Sequence, residues 1–259
     1  MIPLHDENPT RTTPWVTILL IVVCVGVYFL LEPGSTEVQA TAEFNYRNAA
    51  VPCEVVTGEP LSAVEIGSGL LGRDQCLRHE SLPPVFPDKH VFLAVLVSMF
   101  LHGSILHLGG NMLFLWIFGN NVEDRLGPLR YIAFYVAAGI VATLAHVAAQ
   151  PSSTVPVIGA SGAIAGVMGA YLIWFPHAQV RTLLFLGFFI LFPTIGARWL
   201  LLFWFVSQFF VNPNDGVAWV AHVGGYVFGV VIALLLRRSS GGPLLGDPGW
   251  APPAAPRTW

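Results

Sequence analysis

Long apolar runs, each near the roughly 20 residues that an α-helix needs to cross a bilayer, recur along this chain of 259 residues and are separated by polar turns. Six stand out: residues 15–31, 105–120, 129–149, 159–175, 193–211 and 217–236. They predict an all-α membrane protein, a bundle of six transmembrane helices. The stretch 180–192 is also apolar, but Gly187 interrupts it and Pro193 closes it. It reads as an interfacial or re-entrant segment, or as the lower half of a long fifth helix. The first run is expected to be a retained helix. Val38-Gln39-Ala40 faintly resembles a cleavage site for a signal peptide, but Asp6 and Glu7 stand beside Arg11 ahead of the run, and the run is long.

Composition strengthens the membrane reading. Hydrophobic residues make up 54% of the chain and charged residues only 10%, with a mean hydropathy of +0.67. Soluble domains carry about 25% charged residues, so this chain lacks the polar surface to face water on all sides. A net charge of −3, without a basic stripe, excludes a nucleic-acid partner. Basic residues set the orientation. With the N-terminus inside, the cytoplasmic turns hold Arg125, Arg130 and Arg181, and the last helix ends in Arg237-Arg238, whereas the outer turns 150–158 and 212–216 hold no Lys or Arg. The predicted plan is a cytoplasmic N-terminal segment 1–14, a membrane domain 15–238 with a long outer loop 32–91, and a disordered, Gly- and Pro-rich cytoplasmic tail 239–259. Of three cysteines, Cys24 lies in an apolar run, while Cys53 and Cys76 share the outer loop. Those two pair if the loop faces an oxidising compartment and otherwise remain thiols.

This topology brings four polar residues to one depth. Ser161 begins the fourth helix at its outer end, His222 lies about a turn into the sixth from the same side, and His107 and Asn111 lie in the outer half of the second. Ser161 is set in Gly159-Ala160-Ser161-Gly162, where flanking glycines let another backbone approach its hydroxyl. Gly162 and Gly166 form a small-residue face, and so do Gly225 and Gly229 with His222, at i, i+3 and i+7. Such faces are ordinary packing devices in membranes. Here, packing one against the other also brings an imidazole to a serine. A serine hydroxyl becomes a nucleophile when a base within hydrogen-bond reach takes its proton. An intramembrane imidazole is itself a functional candidate. His107 and Asn111, four apart on one face, are either interhelical hydrogen-bond glue or donors to an oxyanion; matching depth with Ser161 favours the second. His102, at the helix mouth, is expected to brace the loop. A metal site from His102, His107 and His222 lacks a cysteine or carboxylate companion. There is neither a His-Glu-x-x-His zinc motif nor a pair of intramembrane aspartates, so no metal and no cofactor is expected.

In order and in helix placement, His107-x-x-x-Asn111, Gly159-x-Ser161-Gly162 and Ala221-His222-x-x-Gly225-x-x-x-Gly229 resemble the motifs of rhomboid intramembrane serine proteases. Glu123-Asp124-Arg125 looks like that family's Glu-x-Arg turn, and Ile2-Pro3-Leu4 with Asp6-Glu7-Asn8-Pro9-Thr10 is similar to the start of many bacterial members. The resemblance runs to about Arg238. It implies a Ser161–His222 dyad, with the oxyanion stabilised by His107, Asn111 and the Ser161 N–H, and structural roles for Glu123 and Arg125. It further implies transmembrane proteins as substrates, the lipid bilayer as surroundings, and a multi-pass place in a bacterial plasma membrane. A catalytically silent relative that binds transmembrane helices is the alternative. Such relatives usually lack the serine or the histidine, and both are present. The sequence departs from the family in two places. Ala165 stands where an aromatic often stacks on the base, so either His222 is held less firmly or another aromatic covers it. The first outer loop lacks the family's Trp-Arg pair.

Overall fold

The computed structural model describes residues 1–34, 37–73, 76–77, 82–212 and 217–237. Strand β1 (Ile2–Asp6) leads into α1 (Trp15–Leu30). Three short helices follow, α2 (Val38–Asn48), α3 (Pro52–Thr57) and α4 (Ala63–Leu70), and then α5 (Val91–Val97) with a 3-10 turn at Ser98–Phe100. Next come α6 (Ile105–Leu126), α7 (Pro128–Ala149) and α8 (Ser161–Trp174). Strands β2 (Gln179–Leu186), β3 (Phe189–Leu191) and β4 (Thr194–Gly196) precede α9 (Ala197–Ser207), which runs into a 3-10 turn at Gln208–Phe210. Helix α10 (Trp219–Arg237) is the last element among the described residues.

By length and composition, α7 and α10 are apolar and long enough to cross a membrane. The bent pair of α5 with its 3-10 turn and α6, angled at 80°, is a third candidate; α1, α8 and α9 are shorter apolar helices. Helices therefore form at all six predicted runs, with shifted ends. The second continues to Leu126, where Gly127 at φ 75° and Pro128 turn the chain straight into α7. Glycine tolerates that φ, and proline suits the first position of the next helix.

An entirely helical fold is corrected by the small sheet. β2 pairs antiparallel with β1, β3 and β4, so 180–192 forms strand β2, a turn and strand β3, and not the lower half of α9. The local sequence explains this. Val180 and Thr182 are buried and alternate with exposed Gln179 and Arg181, a period of two. Gly187, at φ 61°, then reverses the chain between β2 and β3. β4 takes residues 194–196, which shortens the fifth helix from the expected 193–211.

The core is a three-helix wedge of α7, α8 and α10. A Cβ built on Gly225 or Gly229 of α10 would overlap the carbonyl oxygen of Gly162 or Gly166 on α8. On the other side, Gly162 and Gly166 leave only enough room for the methyls of Ala142 and Ala138 on α7, 2.6 Å from a built Cβ. Small residues allow this backbone contact, and in lipid such van der Waals packing is what drives helices together.

The two ends of the bundle are finished differently. At the sheet end, the Glu123 carboxylate accepts from the N–H groups of Val16 (2.9 Å) and Thr17 (2.8 Å) and from the Thr17 hydroxyl (2.8 Å). It thereby satisfies donors that the first turn of α1 leaves unpaired. Asp124 accepts from the N–H and hydroxyl of Thr12. Buried Asp6 accepts from Asn121 Nδ2 (2.8 Å) and the Tyr171 hydroxyl (2.7 Å), and the Arg125 guanidinium lies over Trp174, 5.0 Å from its ring centre. Segment 1–14 is thus tied to α6 and α8. At the opposite end, the expected long loop 32–91 is helical, and a Cys53–Cys76 disulfide with a Cα–Cα distance of 5.7 Å closes it. Ser62 and Glu65 form a capping box on α4, and Glu54 forms a buried ion pair with Lys89. Arg238, the tail 239–259 and most of the turn 212–216 lie outside the described residues.

Candidate active site

The turn before α8 is built to present its first residue. Gly159 adopts φ 123°, and its N–H donates to the Ser98 carbonyl oxygen at 2.9 Å. A side chain there would be strained and crowded. A built Cβ lies 2.9 Å from Cε1 and Nε2 of His107 and 3.5 Å from Ser161 Oγ. Ser161 therefore opens α8 with His107 across a gap that only glycine leaves free. The same turn is held to the disulfide-closed region: Val157 N–H donates to the Ala50 carbonyl, and Cys53 N–H to that of Ser153, each at 2.8 Å. Ala50 N–H donates in turn to Ser98 Oγ at 2.7 Å.

His222 stands in the first turn of α10. Its Nε2 is 2.8 Å from Ser161 Oγ, and its Nδ1 is 2.8 Å from Gln208 Oε1. The seam of Gly162, Gly166, Gly225 and Gly229 sets the first distance, because with no side chain between them the two helices pack at their closest approach. Asn111 is buried on α6, and its Nδ2 has no hydrogen-bond partner among the described residues. An unspent buried amide donor is costly, and here it lies one turn along α6 from His107. As the first residue of α8, Ser161 also has an N–H without a partner inside the helix. Ser161, His222, His107 and Asn111 are thus gathered at one end of the bundle, whereas Glu123 and Arg125 are at the other.

His102 is fully buried. Its N–H donates to the Glu32 carboxylate at 3.0 Å, its Nδ1 lies 3.2 Å from the Phe100 carbonyl, and its ring meets that of His107 edge-on at 5.3 Å. These contacts join the end of α1 to the entry of α6 and stand behind His107.

Two side chains that the sequence reading did not single out complete the surroundings of His222, and both come from the α9 segment. The Trp204 ring lies 5.8 Å from the imidazole and stacks on Tyr226 at 6.0 Å, while Phe205 stacks on Tyr226 at 4.7 Å. Trp204 thus supplies, from α9, the aromatic cover that Ala165 cannot give from α8. Gln208 is buried. The available signal was an amide inside the apolar run 197–211, since a polar group in such a run requires a partner.

The chain belongs to the rhomboid family: the Rhomboid domain matches residues 89–239, more than half of its length. It is 32% identical over 156 residues to the yeast Saccharomyces cerevisiae "Rhomboid protein 1, mitochondrial", covering 57% of this chain and 42% of that protein. To the human "Presenilin-associated rhomboid-like protein, mitochondrial" it is 29% identical over 149 residues, 52% of this chain and 36% of the relative. To "Rhomboid protease GluP" of Bacillus subtilis it is 42% identical over 78 residues, 30% of this chain and 15% of that protein. The matches thus span less than half the length of these curated relatives. They establish a membrane protein of the rhomboid family. With mitochondrial proteins among them, they do not support the expected bacterial plasma membrane.

Proposed function

We propose that this protein is an intramembrane serine endopeptidase that cleaves transmembrane segments of other membrane proteins through a Ser161–His222 dyad. The observation that carries this reading is the 2.8 Å contact between Ser161 Oγ and His222 Nε2, made across a glycine seam between two apolar helices. Six helices cross the bilayer in this reading, with the sheet end cytoplasmic and the disulfide-closed region outside. Arg125, Arg130 and Arg181 at the sheet end, and the absence of Lys and Arg from 150–158, support that orientation. Helix α8 has 14 residues, about 21 Å at 1.5 Å per residue, against a hydrocarbon core of about 30 Å. With its far end at the cytoplasmic face, Ser161 sits recessed below the outer surface.

The chemistry follows from the atoms present. The Ser161 oxygen attacks the scissile carbonyl carbon while its proton passes to His222 Nε2. The carbonyl oxygen becomes an oxyanion that accepts hydrogen bonds from the Ser161 N–H, Asn111 Nδ2 and His107. Collapse breaks the C–N bond, and His222 returns its proton to the departing amine. Water, deprotonated by the same imidazole, then hydrolyses the Ser161 ester and restores the hydroxyl. A helical substrate must unwind locally to offer its carbonyl, because its backbone groups are otherwise paired. Small residues near the scissile bond suit that requirement.

The test is cleavage of a model transmembrane substrate by the purified protein in liposomes, with fluorophosphonate labelling alongside. Cleavage and labelling by wild type, both lost in Ser161→Ala and cleavage lost in His222→Ala, are the expected result. Unchanged cleavage in the two variants would overturn the dyad. A wild type that neither cuts nor labels would instead indicate the silent helix-binding relative.

A further inference from the structure

We propose that Gln208 is a positioning residue for His222, holding the imidazole in the tautomer and the ring orientation that the reaction needs. This rests on the dyad reading above and extends it from two residues to a Ser161–His222–Gln208 chain. The geometry is specific. Gln208 Oε1 lies 2.8 Å from His222 Nδ1, while Gln208 Nε2 donates to the Trp204 carbonyl oxygen at 3.0 Å and lies 3.3 Å from Ser207 Oγ. A backbone carbonyl only accepts, so the amide nitrogen must face Trp204 and the amide oxygen must face the imidazole. That oxygen also only accepts, so His222 Nδ1 must carry the ring proton. In a neutral imidazole the other nitrogen is then a bare acceptor. That nitrogen is Nε2, 2.8 Å from the hydroxyl it must deprotonate.

Without Gln208, the ring chooses between two tautomers of similar energy, and only one can accept the serine proton. When the proton arrives and the ring becomes a cation, the Nδ1–H···O bond becomes charge-assisted and strengthens. It therefore contributes more in the transition state than in the resting enzyme, which is the condition for raising kcat. A neutral amide achieves the orientation without a buried carboxylate, whose charge would be costly at this depth. Trp204 has two parts in this: its ring covers His222, and its carbonyl fixes the amide. The third group thus belongs to the 3-10 turn that continues α9, apart from the helices of either member of the dyad.

The test uses the full-length protein in liposomes or detergent, comparing wild type with Gln208→Leu and Gln208→Glu. Nitrogen-15 NMR of histidine-labelled protein, with His222 assigned by its loss in His222→Ala, reads the tautomer without requiring activity. Wild type is expected to carry the proton on Nδ1, and Gln208→Leu to shift towards the Nε2-protonated form. In cleavage assays Gln208→Leu should lose roughly 10- to 100-fold in kcat with little change in KM, the scale of one hydrogen bond to a charged group. Gln208→Glu keeps an acceptor for Nδ1 but loses the donor to the Trp204 carbonyl, so it should recover only part of that loss. Among the described residues, the ionisable groups acting on His222 are His107 of α6 and His146 of α7. A carboxylate added opposite them favours the imidazolium, so the acidic limb of the Gln208→Glu rate profile should move to higher pH. An Nε2-protonated His222 in wild type would overturn the proposal, and so would a Gln208→Leu enzyme with wild-type kcat. An inactive wild type with its proton on Nδ1 would overturn the protease reading and leave the positioning contact standing.

Discussion

The two hydrogen bonds of His222 come from two regions built in opposite ways. On one side is the seam of α8 and α10, glycine against carbonyl, in which 11 of the 14 residues of α8 are buried. On the other is α9, in which only Ala197, Leu200 and Leu201 of 11 residues are buried. Trp199, Phe203, Val206 and, in the following turn, Phe209 and Phe210 point outward, apolar and exposed. The first region sets the distance between the Ser161 hydroxyl and the His222 imidazole through backbone contact, which yields little because packed interiors have few voids. The second sets the orientation of that ring through Trp204 on sparsely buried α9 and Gln208, the buried first residue of the 3-10 turn after it. Position and orientation of one imidazole are therefore held with different firmness, and each can be disturbed separately.

The seam should break hardest. Gly229→Val forces two methyl groups into the Gly166 carbonyl, and the overlap is with backbone, which cannot rotate away. The cost exceeds the roughly 1–3 kcal/mol of ordinary overpacking. We expect a large fall in thermal stability together with loss of fluorophosphonate labelling at Ser161. A variant that labels at wild-type rate would show that the seam does not set the dyad distance.

A milder disturbance on the α9 side sharpens the contrast. Trp204→Leu removes the ring over His222 and its stacking on Tyr226 but leaves the backbone carbonyl that orients Gln208. Aromatic pairs contribute about 0.5–1.5 kcal/mol each, so kcat should fall roughly 2- to 12-fold with the folded state retained. A loss as great as that of Gly229→Val, in stability as well as rate, would mean that α9 is as firmly integrated as the seam.

The smallest effect is expected at the sheet end, far from both. Burial pushes the Asp6 carboxyl up to about 6, against weaker opposing hydrogen bonds from Tyr171 and Asn121. The folded chain then binds this proton more tightly than the unfolded one. The resulting stabilisation is full below about pH 4 and is lost as pH rises through about 6. Asp6→Asn keeps an acceptor for Tyr171 and removes the titration. The thermal midpoint of the variant relative to wild type should therefore be higher at about pH 7 than at about pH 4, with labelling of Ser161 unchanged. Equal differences at the two pH values would show that Asp6 does not titrate in this window.

Several parts of this arrangement were legible from residues alone because their signals are periodic. Gly162 and Gly166 on one helix, and Gly225 and Gly229 after His222 on another, announce two complementary faces, and packing them meets the serine with the histidine. The segment 180–192 was not legible in the same way. A short apolar run has no period that separates strand from buried helix. What decided it was the distant strand β1, which pairs Asp6 with Val180 and Pro3 with Thr182. Cys53 and Cys76 were likewise open, since pairing depends on a distance that α3 and the following loop bring to 5.7 Å between Cα atoms.

By itself, then, the sequence determined the membrane character, the helices carrying Ser161, His222, His107 and Asn111, and the small-residue faces that join two of them. These follow from composition and from spacing along one helix, both local properties. Only the tertiary structure decided that Glu123 caps α1, that Trp204 covers the imidazole in place of an aromatic at Ala165, and that Gln208 reaches Nδ1. Each of those contacts joins elements separated in the chain. Which side chains meet across such a separation depends on how whole helices are seated, and no local period records that.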